Sequence, residues 1–545
     1  MALEVVIPPY LLPESPETVT LVDDQTSVFS PQYGRGFTQR NSFADPRWRL
    51  KRTYKGMRSY DVAKLLMPID GMRGGYGIVR ATPSWKQRGS MPTTEIITNN
   101  DFSNGTSNWA AIAGQSSLSV NDRVLRVTRV GNNASASGYA YQNPSSMLPY
   151  TPYIWRFAVS QIQGGAKPYA SVSEPNVFAG VIGASTTRGT ILTESGLTTG
   201  YGVTGAVAPN GGNTYLDNNA DFGALVGGYY DVSWATLSQC LLADGPDNYF
   251  TVNDALTGGG WTRANAGVTS GEVGPYGNVD AFALTPTTAT TTDHSISQVV
   301  GTATTGSPVV VLTIDLKGNG YNYVRVQINE NTGGSPVYQL FNITTGAGAV
   351  GATGSAGANW TDAHTSIVDL GNGWWRCTLI ARNTNGATAY SGYAIVHNGD
   401  NANSWTPNGT SGVRIYRPTI NIGALPSKTN VNSTATAVSG QVAGATGARQ
   451  ISIKSAQISK SGLLLPGDWI ELNSELKRVT SPLNTDASGC GILSFSPGLW
   501  SSVLSNAPII TCNPMGRFMI NGGVSVDAMY GGYVTSELTL DEVFG

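Results

Sequence analysis

The chain has 545 residues, which at about 150 residues per domain suggests three or four domains. Charged side chains make up only 12% of it, about half the usual share, and the net charge of −2 gives no sign of a nucleic-acid-binding protein. Helices usually carry Glu, Lys and Arg on their exposed faces, whereas the 67 glycines and the many Thr, Val, Tyr and Asn residues suit strands and turns. The composition therefore predicts a mainly β, multidomain protein.

The N-terminal part is divided by charge. Residues 1–30 contain five acidic residues and no Lys or Arg, whereas residues 31–90 contain 13 basic residues against three acidic ones. Alternation predicts strands in residues 45–56 and 76–85. Between them, Ser59 as N-cap and four apolar residues at helical spacing predict the one helix. Those residues are Val62, Leu65, Leu66 and Ile69.

The start of the chain has no basic segment followed by an apolar core, so no signal peptide is expected. No run of about 18 apolar residues predicts a membrane span. We expect a protein made in the cytoplasm, yet its composition resembles that of an exposed β protein. A protein that leaves the cell inside an assembled particle would reconcile the two.

Two stretches in the middle of the chain open alike. One begins at Glu95 and the other at Asp247, and each continues with an Asn/Asp/Gly turn, a tryptophan and alternating residues. Each then contains only short strand patterns. We predict two tandem β-sandwiches of jelly-roll type, residues 93–243 and 244–424. A Gly/Ala/Ser/Thr-rich linker, 425–444, follows them.

The C-terminal part contains a predicted hairpin around Asn473 and Ser474, but too few strands to close a domain comfortably. The N-terminal part is also too small to bury a good core. We therefore expect residues 1–92 and 445–545 to form one split β-rich assembly domain that includes the helix. The two sandwiches would be inserted into it.

Cysteine and histidine spacing gives no metal motif. The cysteines are far apart, which favours buried free thiols over a disulfide framework, and the histidines are scattered, so no zinc site is expected. Residues 99–105 could ring a structural calcium ion, although an Asx turn is the simpler interpretation. The cysteines are Cys240, Cys377, Cys490 and Cys512, and the histidines are His294, His364 and His397.

Aromatic residues supply the candidate ligand contacts. Trp374 and Trp375 are adjacent on a predicted strand, so one should enter the core while the other faces outward. The outward indole could be buried under a loop, which we prefer, or it could pack on the apolar face of a sugar. Arg376 could either donate to the hydroxyl groups of that sugar or form a structural ion pair. Trp360 and Trp405 are predicted in polar loops. In the first sandwich the weaker candidates are Trp109, Tyr139 and Tyr141.

The basic stretch has three candidate roles. The acidic first 30 residues could lie against the basic surface of a neighbouring copy, as a head-to-tail ring requires. We prefer this interpretation, which makes Arg47, Arg49 and Arg52 subunit contacts. A solvated face and contact with DNA in a tail lumen are the alternatives.

Several stretches resemble proteins of tailed bacteriophages. The second sandwich resembles a carbohydrate-binding-like jelly roll common in virion proteins. The resemblance is carried by residues 261–288, residues 337–351, "DLGNGWWRCTL" and "GVRIYRPTINIG". Residues 99–240 resemble the same jelly roll more loosely. The flanks, "FADPRWRL" to "GGYGIVR" and "SGLLLPGDWIEL" to "PMGRFMI", are similar to tail-tip proteins of the distal tail type. None of these stretches carries a catalytic motif.

The resemblance implies a virion structural protein of the tail tip rather than an enzyme. Its partners would be copies of itself in a ring, with a hexamer favoured, other tail proteins and host-surface polysaccharide. No nucleic acid, membrane or cofactor is implied. A purely structural or fibre-anchoring scaffold and a glycan-degrading tail spike are the alternatives.

Overall fold

The architecture is described from a computed structural model. Strands dominate the described residues, which contain no helix, so the predicted mainly β, multidomain fold is confirmed. The helix predicted from Ser59 to Ile69 lies outside them. Among the described segments, no helix is long and apolar enough to cross a membrane. The structure describes residues 4–7, 17–22, 25–29, 38–42, 47–58, 78–83, 87–92, 95–131, 138–142, 151–163, 168–174, 177–178, 197–203, 213–218, 226–244, 249–250, 254–290, 293–301, 309–330, 336–344, 349–355, 359–383, 387, 389–399, 405–422, 442–455, 457–486, 489–520, 525–528 and 533–543.

The strands fall into four groups along the chain. The first group is β1 Glu4–Ile7, β2 Glu17–Val22, β3 Gln25–Phe29, β4 Thr38–Ser42, β5 Arg47–Arg58 and β6 Ile78–Ala81. The second is β7 Ala110–Ala111, β8 Ser116–Asn121, β9 Val124–Arg129, β10 Gly138–Gln142, β11 Pro152–Gln163, β12 Pro168–Glu174, β13 Val177–Phe178, β14 Leu197–Val203, β15 Asn213–Asn218 and β16 Tyr229–Ala243. The third is β17 Thr262–Ala264, β18 Ala266–Val273, β19 Val279–Pro286, β20 Ser295–Gly301, β21 Val309–Asn319, β22 Tyr323–Glu330, β23 Val337–Asn342, β24 Ala349–Ser355, β25 Trp360–Gly371, β26 Trp374–Asn383, β27 Ala389–His397 and β28 Gly412–Ile422. The fourth is β29 Val442–Gly444, β30 Gln450–Lys454, β31 Trp469–Leu472, β32 Glu475–Val479, β33 Cys490–Ser496, β34 Val503–Leu504, β35 Pro508–Ile510, β36 Gly516–Ile520, β37 Ser525–Ala528 and β38 Tyr533–Glu542.

Strands from both ends of the chain share one sheet. Its order is β1-β6-β36-β38-β5-β2, with β37 beside β38, so the strands from the last 30 residues lie between two pairs of strands from the first 81. Leu50, Phe518 and Leu540 are buried there. The limits of the split domain stay a prediction, but the pairing that it requires is present.

Strand β16 belongs to two bodies at once. Its first part pairs with β11 and β9 in the first sandwich, and its last part pairs with β30 and β35 of the C-terminal strands. The result is a single ten-stranded sheet. The second sheet of the first sandwich has the order β13-β12-β15-β10-β7. A strand so shared joins the two bodies without a loop.

The second sandwich uses only its own strands. One sheet has the order β17-β20-β27-β22-β23-β24 and the other β18-β19-β28-β21-β26-β25. Their facing sides enclose one apolar core, in which Leu312, Val326, Phe341 and Leu379 are fully buried. The outward sides of these two sheets are therefore the surfaces on which a ligand could bind.

The structure confirms two local predictions, one on the C-terminal hairpin and one on the cysteines. β31 and β32 form the expected hairpin, with Asn473 and Ser474 both at positive φ in its turn. All four cysteines are free and buried, as predicted.

Candidate functional site

The two adjacent tryptophans of β26 point to opposite sides of their sheet. Trp375 packs against the main core of the second sandwich, as expected for one ring of the pair. Trp374 lies on the other side and is only 1% exposed, because Ala281, Leu370 and Tyr416 pack around it. Neither indole is thus displayed on an open surface.

Arg376 lies on the same side of the sheet as Trp374 and forms an ion pair. Its Nε and Nη2 donate to the two carboxylate oxygens of Asp315 at 2.7 and 2.9 Å, and both residues are buried. Burial lowers the pKa of Arg376, but the hydrogen bonds and charge of Asp315 outweigh it and raise the pKa overall. The sequence left two roles open for Arg376, a donor to sugar hydroxyl groups or a member of a structural ion pair, and the structure contains the ion pair.

The two tryptophans predicted in polar loops differ from each other. Trp360 is the first residue of β25 and is 4% exposed, with Tyr390 edge-on at 6.1 Å. Its loop assignment was wrong, because the polar neighbours that suggested a loop pair with β26. Trp405 is half-buried and packs edge-on against Tyr321 at 4.7 Å and His294 at 5.3 Å.

The candidates in the first sandwich are not gathered into one site. Trp109 is buried against Phe102, and its indole nitrogen donates to the carbonyl of Asn99. Tyr141 is half-buried in β10. Tyr139 lies in the same strand, but its side chain is outside the described part of the structure. A ligand-binding role for these three stays a prediction.

The Asx-rich turn at residues 99–105 is closed by its own hydrogen bonds. Asn99 donates to the carbonyls of Gly105 and Ser107 and accepts from the Asn104 amide, while Asp101 accepts from Ser103. This is the simpler of the two interpretations offered for the turn. Within the described ranges, no group of three or more His, Cys, Asp or Glu side chains could hold a metal ion.

The arginines of β5 have partners within the chain. Arg49 forms a bidentate pair with Asp541 at 2.5 and 2.8 Å, and the buried Arg52 donates to the carbonyl of Thr82. Arg47 is half-buried. Intrachain partners of this kind were not foreseen from the sequence, and the role of these arginines in subunit contact stays a prediction.

A group of side chains that the sequence analysis did not select lies on the outward side of the sheet containing β22. Val324, Val326 and Ile328 of this strand enter the core, so Arg325 and Gln327 point outward. Gln327 stands opposite Tyr338 of β23 on one side and Tyr393 of β27 on the other. Ser297 of β20 continues the same row. We call the surface formed by Arg325, Gln327, Tyr338, Tyr393 and Ser297 the Arg325 face.

The Arg325 face has a buried floor beneath half-exposed side chains. Leu340 and Ile395 flank Arg325 in the strand register and are 2% and 3% exposed. Arg325, Tyr338 and Tyr393 are half-buried. Since neighbouring strands lie about 4.8 Å apart, the row from Tyr338 to Ser297 spans about 14 Å across four strands.

Two polar atoms of this face are buried and have no hydrogen-bond partner among the described residues. They are Nε of Arg325 and Oε1 of Gln327. Gln327 uses its Nε2 to donate to Asn329 at 2.8 Å, and the guanidinium carbon of Arg325 lies 3.7 Å from the centre of the Tyr338 ring. Because buried polar groups are normally bonded, the face offers one donor and one acceptor to a ligand.

The chemistry of the Arg325 face suits a polyhydroxylated ligand. Phenol rings pack on apolar C–H surfaces, while amide, hydroxyl and guanidinium groups bond to hydroxyls. Burial lowers the pKa of Arg325, with Tyr338 and Asp293 opposing that effect, but an arginine in a protein stays protonated at neutral pH. The face therefore presents a cation, two aromatic rings and an amide together.

The sequence contained a usable signal for this face. In "YVRVQINE", "VYQLFN" and "AYSGYAIVH", polar and aromatic residues alternate with core residues. Alternation identifies the outward positions, but which strands lie side by side comes only from the fold. The candidate ligand contacts were chosen among the tryptophans instead, and in this sandwich the tryptophans mainly fill the interior.

Comparisons with known proteins give no family. No known protein family matches the chain, and no curated protein matches it. Solved structures that match include the enzymatically active domain of tailspike protein 4 from bacteriophage CBA120, at 14% identity over 33% of this chain, with a TM-score of 0.20. The match spans only 22% of that tailspike structure.

Two further matched structures are carbohydrate-binding modules. The tandem CBM22 domains of Xyn10C from Paenibacillus barcinonensis are 12% identical and cover 62% of this chain and 99% of theirs, with a TM-score of 0.20. Carbohydrate-binding modules of the β-sandwich superfamily are 13% identical and cover 53% of this chain and 98% of theirs, with a TM-score of 0.15. Such TM-scores do not establish a shared fold, so the function proposed below depends on the chain's own geometry.

Proposed function

We propose that the protein is a glycan-binding protein whose second sandwich holds surface polysaccharide on the Arg325 face. Tyr338 and Tyr393 pack against sugar rings, and Arg325 and Gln327 bond to the substituents of those rings. No bond is made or broken in the ligand. Several weak sites in one particle would act together, because linked sites raise the effective concentration of each other.

The observation that carries this proposal is the pair of unpartnered polar atoms on a face that also carries two half-buried tyrosines. In the described part of the chain, Nε of Arg325 and Oε1 of Gln327 lack hydrogen-bond partners although both are buried. An unsatisfied buried polar atom costs about 1–3 kcal/mol. A ligand that bonds to these atoms recovers part of that cost.

Binding to bacterial surface polysaccharides tests the proposal. In biolayer interferometry over immobilised polysaccharides, Tyr393→Ala should weaken binding about tenfold, a loss of about 1.4 kcal/mol for one stacking contact. Tyr276→Ala is the matched control, because Tyr276 is 61% exposed in the turn between β18 and β19 of the opposite sheet. Unchanged binding by Tyr393→Ala, or equal loss in both variants, contradicts the assignment.

The same samples separate adhesion from degradation. A polysaccharide incubated with the protein and then sized by chromatography should keep its chain length. Shortened chains would favour the alternative of a glycan-degrading spike. Retention without shortening supports adhesion. If the polysaccharide is neither shortened nor retained, the scaffold is the better description.

We further propose that the protein acts in the tail tip of a phage virion, as a ring of copies. The resemblance of the flanking segments motivates this assignment, and the pairing of strands from both chain ends in one sheet is compatible with it. Light scattering coupled to size exclusion measures the mass of the particle. A single-chain mass of 57.2 kDa at all concentrations would argue against the ring.

A further inference from the structure

The charge of Arg325 is the feature of the Arg325 face that the proposed function leaves unexplained. Several arginines in the described ranges have a carboxylate partner, as Arg126 has in Asp231, Arg376 in Asp315 and Arg414 in Glu272. Arg325 forms no ion pair with any described residue, and the carboxylate that acts on its pKa, Asp293, is exposed just before the start of β20. The cation is thus available to a ligand.

Arg126 shows what a partner of Arg325 would look like. The guanidinium of Arg126 lies 3.7 Å from the Tyr229 ring centre, the same distance as Arg325 from Tyr338. In addition, Nε and Nη2 of Arg126 donate to the two oxygens of Asp231 at 2.7 and 2.8 Å. A guanidinium held flat on a tyrosine can therefore still bind a bidentate anion.

We infer that the glycan bound on the Arg325 face is acidic, and that Arg325 binds its anionic group through the Nη atoms of its half-exposed guanidinium. This inference rests on the proposed function. A planar fork of donors matches carboxylate and phosphate groups, which accept two parallel hydrogen bonds. The anion is the carboxylate of a uronic or sialic acid residue or a phosphate carried as a substituent on the polymer, which can be removed without breaking the chain. Tyr393 and Gln327 then hold the sugar that carries it.

The experiment uses the full-length protein and a panel of purified bacterial surface polysaccharides, both neutral and acidic. The strongest binder is prepared in three forms: native, carboxyl-reduced and dephosphorylated with hydrofluoric acid. Binding should fall about tenfold or more in the form that lacks the recognised anion. That form also tells carboxylate from phosphate.

Three variants locate the effect. Arg325→Gln should bind the native polymer as weakly as the wild type binds its neutralised form, and Arg325→Lys, which keeps the charge without the fork, should be intermediate. Arg414→Gln removes the same charge from the opposite sheet and should bind like the wild type. The thermal melting curve of each variant shows whether it is folded.

The outcomes separate this inference from the proposed function. Strong binding of a neutral polymer, with no loss in Arg325→Gln, overturns the acidic ligand and leaves glycan binding standing. Loss on neutralisation without any effect of Arg325→Gln places the anion elsewhere and overturns the role of Arg325. Binding to none of the polymers overturns both proposals.

Discussion

Glu542 connects three segments of the chain through one buried carboxylate. Its two oxygens accept hydrogen bonds from the amides of Trp48 at 3.1 Å and Leu476 at 3.0 Å, and the residue is 1% exposed. Burial raises the pKa of Glu542 to about 7, against the lowering effects of these amides and of Lys477. The folded protein therefore holds this proton to higher pH than the unfolded chain does.

The raised pKa of Glu542 predicts a pH-dependent stability. The unfolded carboxyl ionises near its ordinary value of 4.5 and the folded one near 7, so stability is full below pH 4.5 and falls as pH rises through 7, by about 3 kcal/mol. In Glu542→Gln this part of the pH dependence should be absent. Thermal unfolding midpoints from pH 5 to pH 8 measure the difference.

Glu537→Gln is the matched control for this prediction. Glu537 lies on the same strand, β38, but is 43% exposed in an ion pair with Lys51. Its variant should follow the pH dependence of the wild type. A Glu542→Gln curve parallel to the wild-type curve would show that Glu542 does not titrate in this range.

At the residue scale, the sequence predicted which chemistry to look for better than which residues supply it. Free buried cysteines followed from spacing alone. The choice of Trp360 and Trp374 as ligand contacts was not supported, because both side chains are buried and a large indole is as useful in a core as on a binding face. Burial depends on the neighbouring strand, as Tyr416 beside Trp374 illustrates.

Among the strands, β11 and the C-terminal part are joined by a buried ion pair. Nη1 of Arg156 lies 3.0 Å from Glu471, with the two residues 1% and 2% exposed. Nη2 of Arg156 donates to the carbonyls of Cys512 and Asn513, each at 2.8 Å. The amide of Met515 donates to the same oxygen of Glu471. Polar contacts thus fasten the first sandwich to residues more than 300 positions away in sequence.

Breaking this ion pair should destabilise the protein strongly. Arg156→Ala leaves Glu471 charged, buried and without its cation, at a cost of about 3–5 kcal/mol. Lys51→Ala breaks the exposed pair with Glu537 and should cost less than about 1 kcal/mol. Denaturant unfolding of the two variants gives the comparison, and similar losses in both would contradict the structural role of Arg156.

At the element scale, single strands and the hairpin at Asn473 and Ser474 could be predicted, because alternation and turn residues are local. The sharing of β16 could not be. Its partners are β30 and β35, more than 200 residues away, and nothing in "YYDVSWATLSQCLLA" specifies them. Pairings of that range depend on the whole fold.

The second sandwich should fold alone, whereas the first should not. Both sheets of the second sandwich are built from residues 262–422, so residues 245–424 expressed alone should give a sharp thermal transition by circular dichroism. Residues 93–243 alone would lose the β30 and β35 ladders of β16 and the partner of Arg156. We expect no such transition from them. The opposite result for either fragment would contradict this division of the molecule.

At the scale of the whole molecule, the sequence predicted the mainly β, multidomain class from its poverty in charge and its wealth of glycine. It also led to the prediction that the two ends of the chain form one domain, because each flank alone was too small to bury a core. It treated the first sandwich as a separate insert, because a second stretch that opens like the first begins at Asp247. A repeated opening does not reveal that the strand ending before it completes another sheet.

The continuity of β16 has a mechanical consequence. A pull on the first sandwich travels to the C-terminal strands along one backbone, and the flanking ladders with β30 and β35 then resist in shear, with several bonds loaded together. These two bodies should therefore carry tension as a rigid strut with no swivel between them.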